Sequence, residues 1–123
     1  FGMLKPGFTP ELKQDVTERL ANRGLTVTGS HSCLLSPLDV KVLYFEHLGK
    51  SFYQRNADYI ASDLSHLMLI TGPGARAIWK ETLVPIFRER YGSTDPDTPH
   101  CNAVHGSDSN LSALRELCWF FRW

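Results

Sequence analysis

Residues 64–83, LSHLMLITGPGARAIWKETL, contain the unit on which the fold of this chain depends. The apolar run Leu64–Ile70 has the length and the aliphatic content of a buried strand. The turn signal Gly72-Pro73-Gly74 follows it, and Ala75–Leu83 then reads as a helix. A strand is thus followed closely by a helix, and the same alternation extends along the chain in both directions.

Helix start signals mark the other units. Thr9 and Ser36 each precede a proline, as an N-cap precedes the first helical residue, and Gly24 closes the first helix. Predicted strands are Phe1–Lys5, Leu25–Leu35, Leu64–Ile70 and Cys101–Val104; predicted helices begin at Pro10, Pro37, Phe52, Ala75 and near Ser109 or Asn110; Gly92–His100 is a predicted loop. On the last helix, the apolar face is predicted to carry Leu111, Leu114, Leu117 and Cys118. This order predicts an α+β, ferredoxin-like split βαβ sandwich, with a four-stranded antiparallel sheet covered by helices.

Composition indicates an ordinary globular protein. The 123 residues, 42% of them hydrophobic, are enough for one domain over positions 1–123 with a core of its own. Thirteen basic residues balance thirteen acidic ones, so no basic surplus indicates a nucleic-acid partner. No apolar run approaches the ~20 residues that span a bilayer, which excludes a membrane helix. Three widely spaced cysteines, Cys33, Cys101 and Cys118, favour reduced thiols in a cytoplasmic protein.

Among five histidines, His105 has the most unusual setting. It follows a predicted strand and precedes Gly106-Ser107-Asp108-Ser109, small polar residues that lead into a helix. The N–H groups and the dipole at a helix N-terminus favour an anion such as phosphate. A nucleophilic histidine needs one free ring nitrogen and a partner for the other. Glu116, about three turns along the last helix, is within reach of the ring.

Other chemistry for this region is less well supported. His100, Cys101 and His105 are possible zinc ligands, but no second spaced pair completes such a site. Ser107 lacks the GxSxG elbow of a serine hydrolase, so it reads more simply as part of a loop before a helix cap. The sequence also contains neither a Walker P-loop nor GxGxxG. A phosphate site at a helix terminus beside a histidine is the chemistry that the residues favour.

The run Asn102-Ala103-Val104-His105-Gly106-Ser107-Asp108-Ser109 resembles the active-site signature of nucleoside diphosphate kinases. In that family the histidine becomes phosphorylated. Matching positions extend over nearly the whole chain. The resemblance therefore implies a ping-pong phosphotransferase with a phosphohistidine intermediate.

The resemblance also implies roles for eight further residues around His105. Lys5, before Pro6, is the lysine that reaches the transferred phosphate, and Tyr44 is the tyrosine near it; Phe52 stacks on the base; Lys80, after Trp79, and Arg88 contact the phosphates; Asn102 bonds the ribose; Glu116 orients the histidine; Ser107 helps to hold Glu116. Mg²⁺ is the implied cofactor, without a protein metal site. The implied partners are ATP and a nucleoside diphosphate or related acceptor, in a homo-oligomer.

The chain departs from the family pattern at two places. After Lys5-Pro6 the family has an acidic residue and a glycine, whereas this chain has Gly7-Phe8. After Pro85 the chain continues directly with Ile86, where the family has a longer loop that carries a threonine for the phosphate and packs against neighbouring subunits. These departures leave an alternative function open: a catalytically degenerate nucleotide-binding or scaffolding domain, as one module of a longer protein.

Overall fold

The computed structural model describes residues 1–121, so the last two positions of the predicted 1–123 domain lie outside the described residues. The strands are β1 Gly2–Leu4, β2 Thr26–Cys33, β3 Ser65–Thr71 and β4 Val104–Gly106. The helices are α1 Pro10–Asn22, α2 Pro37–Leu43, α3 Tyr53–Ile60, α4 Ala75–Ala77, α5 Val84–Tyr91 and α6 Asn110–Phe120. A 3₁₀ turn, Phe45–His47, follows α2, and a π-helix, Ile78–Leu83, joins α4 to α5. Within residues 1–121 no helix is long and apolar enough to cross a membrane.

One antiparallel sheet has the strand order β2-β3-β1-β4. In the register of β1 with β4, Met3 lies opposite His105 and Gly2 lies opposite Gly106. Because directly opposed residues of an antiparallel pair project on the same face, His105 projects on the Met3 face of the sheet. Strand β4 lies at the sheet edge, so its outer backbone groups need partners from elsewhere in the molecule.

Three helix starts were predicted from capping signals, and the structure confirms them. The Thr9 hydroxyl accepts a hydrogen bond from the Leu12 amide at 3.1 Å. Ser36 forms a reciprocal capping box at the start of α2, and Ser109 forms one with Ser112 at the start of α6. These bonds satisfy amide groups that the first turn of a helix leaves unpaired.

The predicted strand Cys101–Val104 is wrong in position. Ala103 has φ +73°, and the Val104 amide donates to the Asn102 carbonyl at 2.9 Å, which closes a γ-turn. A residue with positive φ cannot continue a strand, so β4 begins only at Val104. His105 consequently lies inside the strand, and its backbone is fixed by the sheet.

The predicted helix Ala75–Leu83 extends further than the sequence indicated. The α4, π-helix and α5 segments form one unbroken helical run to Tyr91, which we call the 75–91 helix. Pro85, which has no amide proton to donate, lies within this run just after the π-helix gives way to α5. The position at which the family has a longer loop is therefore helical in this chain.

Helices pack on both faces of the sheet. On one face the core includes Leu4, Leu12, Val16, Leu20, Met68, Ile70, Trp79 and Phe87. On the other face it includes Phe1, Met3, Leu35, Val40, Leu43, Tyr44, Ile60 and Leu67. Strand β1 is buried between the two layers, and its three residues are all buried.

The predicted apolar face of α6 is largely wrong. Leu111 is 75% exposed and Leu114 is 60% exposed, and Cys118 is also exposed; Leu117 alone of the predicted set packs against the core. The buried residues of α6 are Ser112, Ala113 and Glu116. Helical periodicity detected an apolar face but could not show that the buried face is the polar one, because Glu116 is drawn inward by a specific partner, His105.

Candidate active site

His105 and Glu116 form a buried pair in the centre of the site. His105 Nε2 lies 2.6 Å from Glu116 Oε1, and both side chains are almost fully inaccessible. His105 comes from the edge strand β4, and Glu116 comes from the second turn of α6, which Ser109 caps. The carboxylate can only accept, so Nε2 donates the proton. The ring nitrogen that remains available is Nδ1, which makes no hydrogen bond within residues 1–121.

The electrostatics of His105 favour a neutral, nucleophilic ring. Burial lowers the pKa of His105, and the nearby Lys5 and Lys80 ammonium groups act in the same direction. Glu116 opposes them through its hydrogen bond and its charge. With Nε2 protonated and bonded to Glu116, neutral imidazole carries its lone pair on Nδ1, as a nucleophile requires.

Tyr44 packs against the His105 ring, and Lys5 lies close to Tyr44. The Tyr44 ring packs edge-on against the His105 ring with centroids 5.4 Å apart. Lys5 Nζ lies 5.9 Å from the centre of the Tyr44 ring. The Tyr44 hydroxyl is buried near the Asn56 side chain, and burial raises the pKa of Tyr44. Tyr44 is therefore a neutral phenol whose ring packs against the histidine.

The Lys5 side chain is buried, which is unusual for a lysine. It is 3% exposed, and its Nζ donates a long hydrogen bond, 3.3 Å, to the His100 carbonyl. Burial lowers the pKa of Lys5 to about 7, with the Arg88 guanidinium acting in the same direction. A buried ammonium that pairs with no carboxylate among residues 1–121 favours an anion that would supply a counter-charge.

His105 lines a small polar cavity of about 290 Å³. The charged residues of its lining are three cations and three carboxylates: Lys80, Arg88, Arg115, Glu46, Asp108 and Glu116. Lys80 Nζ lies 2.8 Å from Asp108 Oδ1, and Arg88 donates to the Val104 carbonyl through Nε at 3.3 Å and Nη2 at 3.2 Å. The cavity thus places cationic groups from separate elements around one imidazole, which suits a phosphate group.

The strained turn at Ala103 connects Lys5 to the histidine strand. The Lys5 amide donates to the Ala103 carbonyl at 2.8 Å. A non-glycine residue with φ +73° costs on the order of 1 kcal/mol or more and persists only where surrounding contacts fix it. This turn holds the backbones of Lys5 and Asn102 beside each other at the entrance to β4.

The remaining predicted residues lie further from His105. Phe52 is half exposed at the start of α3 and packs against the His47 ring at 5.5 Å, so its outer face is accessible. Asn102 Oδ1 is buried without a partner among residues 1–121. Ser107 is buried, but its hydroxyl donates to the Phe1 carbonyl at 3.4 Å and not to Glu116, whose Oε2 has no partner among the described residues.

Sequence reasoning missed several residues that the structure brings to the site. Arg76 donates to Asn110 Oδ1 at 2.9 Å and to two backbone carbonyls, those of Ser107 and Asp108. Trp79 donates through Nε1 to the His105 carbonyl at 3.0 Å. Positions 76, 79 and 80 have the i, i+3, i+4 spacing of one helix face, and this signal was available in the sequence.

Comparisons with known proteins agree with this geometry. The family model described as nucleoside diphosphate kinase matches residues 1–123. The chain is 32% identical over 136 aligned positions to the nucleoside diphosphate kinase of Sulfurisphaera tokodaii, covering 99% of this chain and 87% of that protein. It is 30% identical to the enzyme of the same name from Psychromonas ingrahamii, covering 86% and 77%. The solved structure of the Aquifex aeolicus nucleoside diphosphate kinase has the same fold, with a TM-score of 0.75, 20% identity, and coverage of 98% and 92%.

Proposed function

Because this chain belongs to the nucleoside diphosphate kinase family, and is thereby a kinase, we propose that it transfers the γ-phosphate of ATP through a phosphohistidine on His105. The acceptor is a nucleoside diphosphate or a related phosphate compound. The observation that carries this proposal is the 2.6 Å contact of His105 Nε2 with Glu116, which leaves Nδ1 available in a cavity that Lys80 and Arg88 also line.

The proposed reaction has two half-steps. Nδ1 attacks the γ-phosphorus in line, a P–N bond forms, and the bond to the leaving oxygen of ADP breaks. The proton on Nε2 stays in place, and Glu116 stabilises the positive charge that the ring acquires. In the second half-step an acceptor phosphate oxygen attacks the same phosphorus, the P–N bond breaks, and neutral His105 is regenerated.

We propose roles for the surrounding side chains from the family resemblance. Lys5, Lys80 and Arg88 would neutralise the phosphate oxygens, which is the main catalytic need of phosphoryl transfer. The Tyr44 ring packs on the imidazole. We assign Phe52 to base stacking and Asn102 to the ribose; Ser107 would support Glu116 by turning its hydroxyl away from the Phe1 carbonyl.

Mg²⁺ is the divalent cation that we propose, since the family generally uses a divalent metal. Within residues 1–121 no three His, Cys, Asp or Glu side chains cluster closely enough to hold a metal ion. The cavity lining contains as many cations as carboxylates, and its exposed carboxylates, Asp108 and Glu46, are paired with Lys80 and Arg115. This set fits a cation that arrives on the nucleotide phosphates, where it would neutralise charge, better than a metal bound by the protein alone.

Labelling with [γ-³²P]ATP tests the function. The wild-type protein should form an acid-labile, alkali-stable phosphoenzyme and should convert GDP to GTP. His105→Ala should abolish labelling, and His31→Ala on β2 should label like the wild type. Equal labelling of His105→Ala would overturn the mechanism. Nucleotide binding without any labelling of the wild type would instead support the degenerate binding domain.

We also propose a homo-oligomer, as is typical of the family. Exposed apolar side chains on α2, the 3₁₀ turn and α6, namely Leu38, Phe45, Leu111 and Leu114, support association. Sedimentation equilibrium measures the mass directly, and a purely monomeric species at high micromolar concentration would contradict this part of the proposal.

A further inference from the structure

We propose that Trp79 is a positioning residue that fixes the backbone of His105 for phosphoryl transfer; the inference rests on the proposed function of His105. Trp79 touches no reacting atom. It lies on the opposite face of the sheet from the His105 ring, in the core that α1 and the 75–91 helix cover. Its effect on the reaction therefore passes through the strand that carries the histidine.

The contact is a buried hydrogen bond to the nucleophile's own carbonyl group. Trp79 is 1% exposed, and its Nε1 donates to the His105 oxygen at 3.0 Å. Strand β4 has a neighbouring strand, β1, on one side alone. A carbonyl oxygen can accept two hydrogen bonds, and the indole N–H of Trp79 supplies one from the 75–91 helix, in addition to the pairing of β4 with β1.

Glycines on the neighbouring strands β1 and β4 leave space for the indole ring of Trp79. A Cβ atom on Gly106 would lie 2.9 Å from Trp79 Cδ1, and a Cβ atom on Gly2 would lie 2.9 Å from Trp79 Cε2 and Nε1. Gly2 and Gly106 are directly opposed in the β1–β4 register. The ring thus occupies a slot that both glycines create, and it packs against the two strands at once.

The next residue of the π-helix acts on the other end of the same segment. Lys80 pairs with Asp108 at 2.8 Å, whereas Trp79 bonds to His105 at 3.0 Å. Arg76, one turn earlier, donates to the Ser107 and Asp108 carbonyls. The 75–91 helix therefore contacts His105, Ser107 and Asp108. Helix α6 holds the imidazole of His105 through Glu116.

This arrangement determines the consequence of losing the indole N–H. The His105 carbonyl would lose the donor that ties it to the 75–91 helix, and the strand would be freer to shift. A shift of a fraction of an ångström moves Nδ1 off the in-line path to phosphorus, and alignment errors of about 1 Å cost on the order of 10²-fold in rate. Nucleotide affinity depends on Lys5, Lys80 and Arg88, so it should change little.

The sharpest variant removes the N–H and keeps the shape of the ring: replacement of Trp79 by β-(3-benzothienyl)alanine. Trp79→Phe is the genetically simple companion, and Trp119→Phe is the matched control, because Trp119 Nε1 also donates a side-chain hydrogen bond, to Asp39 at 2.9 Å. For all three, single-turnover phosphohistidine formation and nucleotide Kd are measured separately. We expect the two Trp79 variants to label at least about tenfold more slowly with Kd within twofold, and Trp119→Phe to label at the wild-type rate.

A second readout does not depend on turnover. The ¹⁵N and ¹³C resonances of the His105 ring, recorded without nucleotide, should shift or broaden in both Trp79 variants and should stay unchanged in Trp119→Phe. Wild-type resonances together with wild-type labelling in the benzothienyl protein would overturn the positioning role. If wild-type protein itself does not label, the proposed function fails, and the ring resonances alone then decide whether Trp79 fixes His105.

Discussion

Glu116 Oε1 and His105 Nε2 lie 2.6 Å apart although eleven residues separate them in sequence, and both are buried. Burial of a carboxylate is costly unless it has a partner, and here the partner is the histidine N–H. The buried carboxylate would destabilise the fold without this partner. Its contact with Nε2 also selects the tautomer of the His105 ring. Our first prediction concerns this contact.

Glu116→Gln should slow phosphohistidine formation on the order of 10²-fold, because an amide holds the ring less firmly and no longer stabilises its positive charge. Since Glu116 raises the pKa of His105 against the effect of burial, the variant should also lower that pKa further. NMR titration of the His105 ring and single-turnover labelling check both statements. An unchanged labelling rate would show that Glu116 is only structural.

Lys5 should make stability depend on pH. With the pKa lowered from 10.5 to about 7 in the folded protein, the unfolded chain holds an extra proton between these values. The free energy of unfolding should therefore rise with pH from 7 towards 10.5, at up to about 1.4 kcal/mol per pH unit from this group. Urea unfolding between pH 7 and 9 measures the slope, and Lys5→Met should show a smaller one. Equal slopes in both proteins would mean that burial does not lower the pKa of Lys5 in the folded protein.

Gly106→Ala should lower the free energy of unfolding by about 1–3 kcal/mol, because the new Cβ would lie within 3 Å of the rigid Trp79 ring. Gly29→Ala is the control, since its Cβ would meet its neighbours at 3.6 Å or more. Thermal or urea unfolding of both variants provides the comparison. A loss of similar size at Gly29 would mean that replacing a glycine of the sheet is destabilising in general, and not that the indole slot is filled.

Thr9→Ala should lower the free energy of unfolding by about 1 kcal/mol, because the Leu12 amide loses its side-chain acceptor at the start of α1. Thr9→Ser keeps a hydroxyl and should be close to wild type. Neither change should alter the labelling rate, since Thr9 does not line the cavity around His105. Reduced labelling in Thr9→Ala at a temperature where it is folded would contradict this separation of cap and site.

Local signals in the sequence determined the elements of this fold. Thr9, Ser36 and Ser109 specify helix starts because their hydroxyls bond to amides only three residues away. The strand–helix alternation then limits the topology to a few arrangements, of which the split βαβ sandwich is the one observed. The octapeptide around His105 likewise identified the candidate nucleophile from contiguous residues.

Long-range packing decided the rest. The burial of Lys5, the positive φ of Ala103 and the inward face of α6 depend on neighbours distant in sequence, so periodicity and propensity could not predict them. The hydrogen bond from Trp79 to His105 likewise joins residues 26 apart. The sequence by itself determined which residue we propose as the nucleophile. Only the tertiary structure decided what holds it in place, because a buried polar group takes its partner from whichever element packs against it.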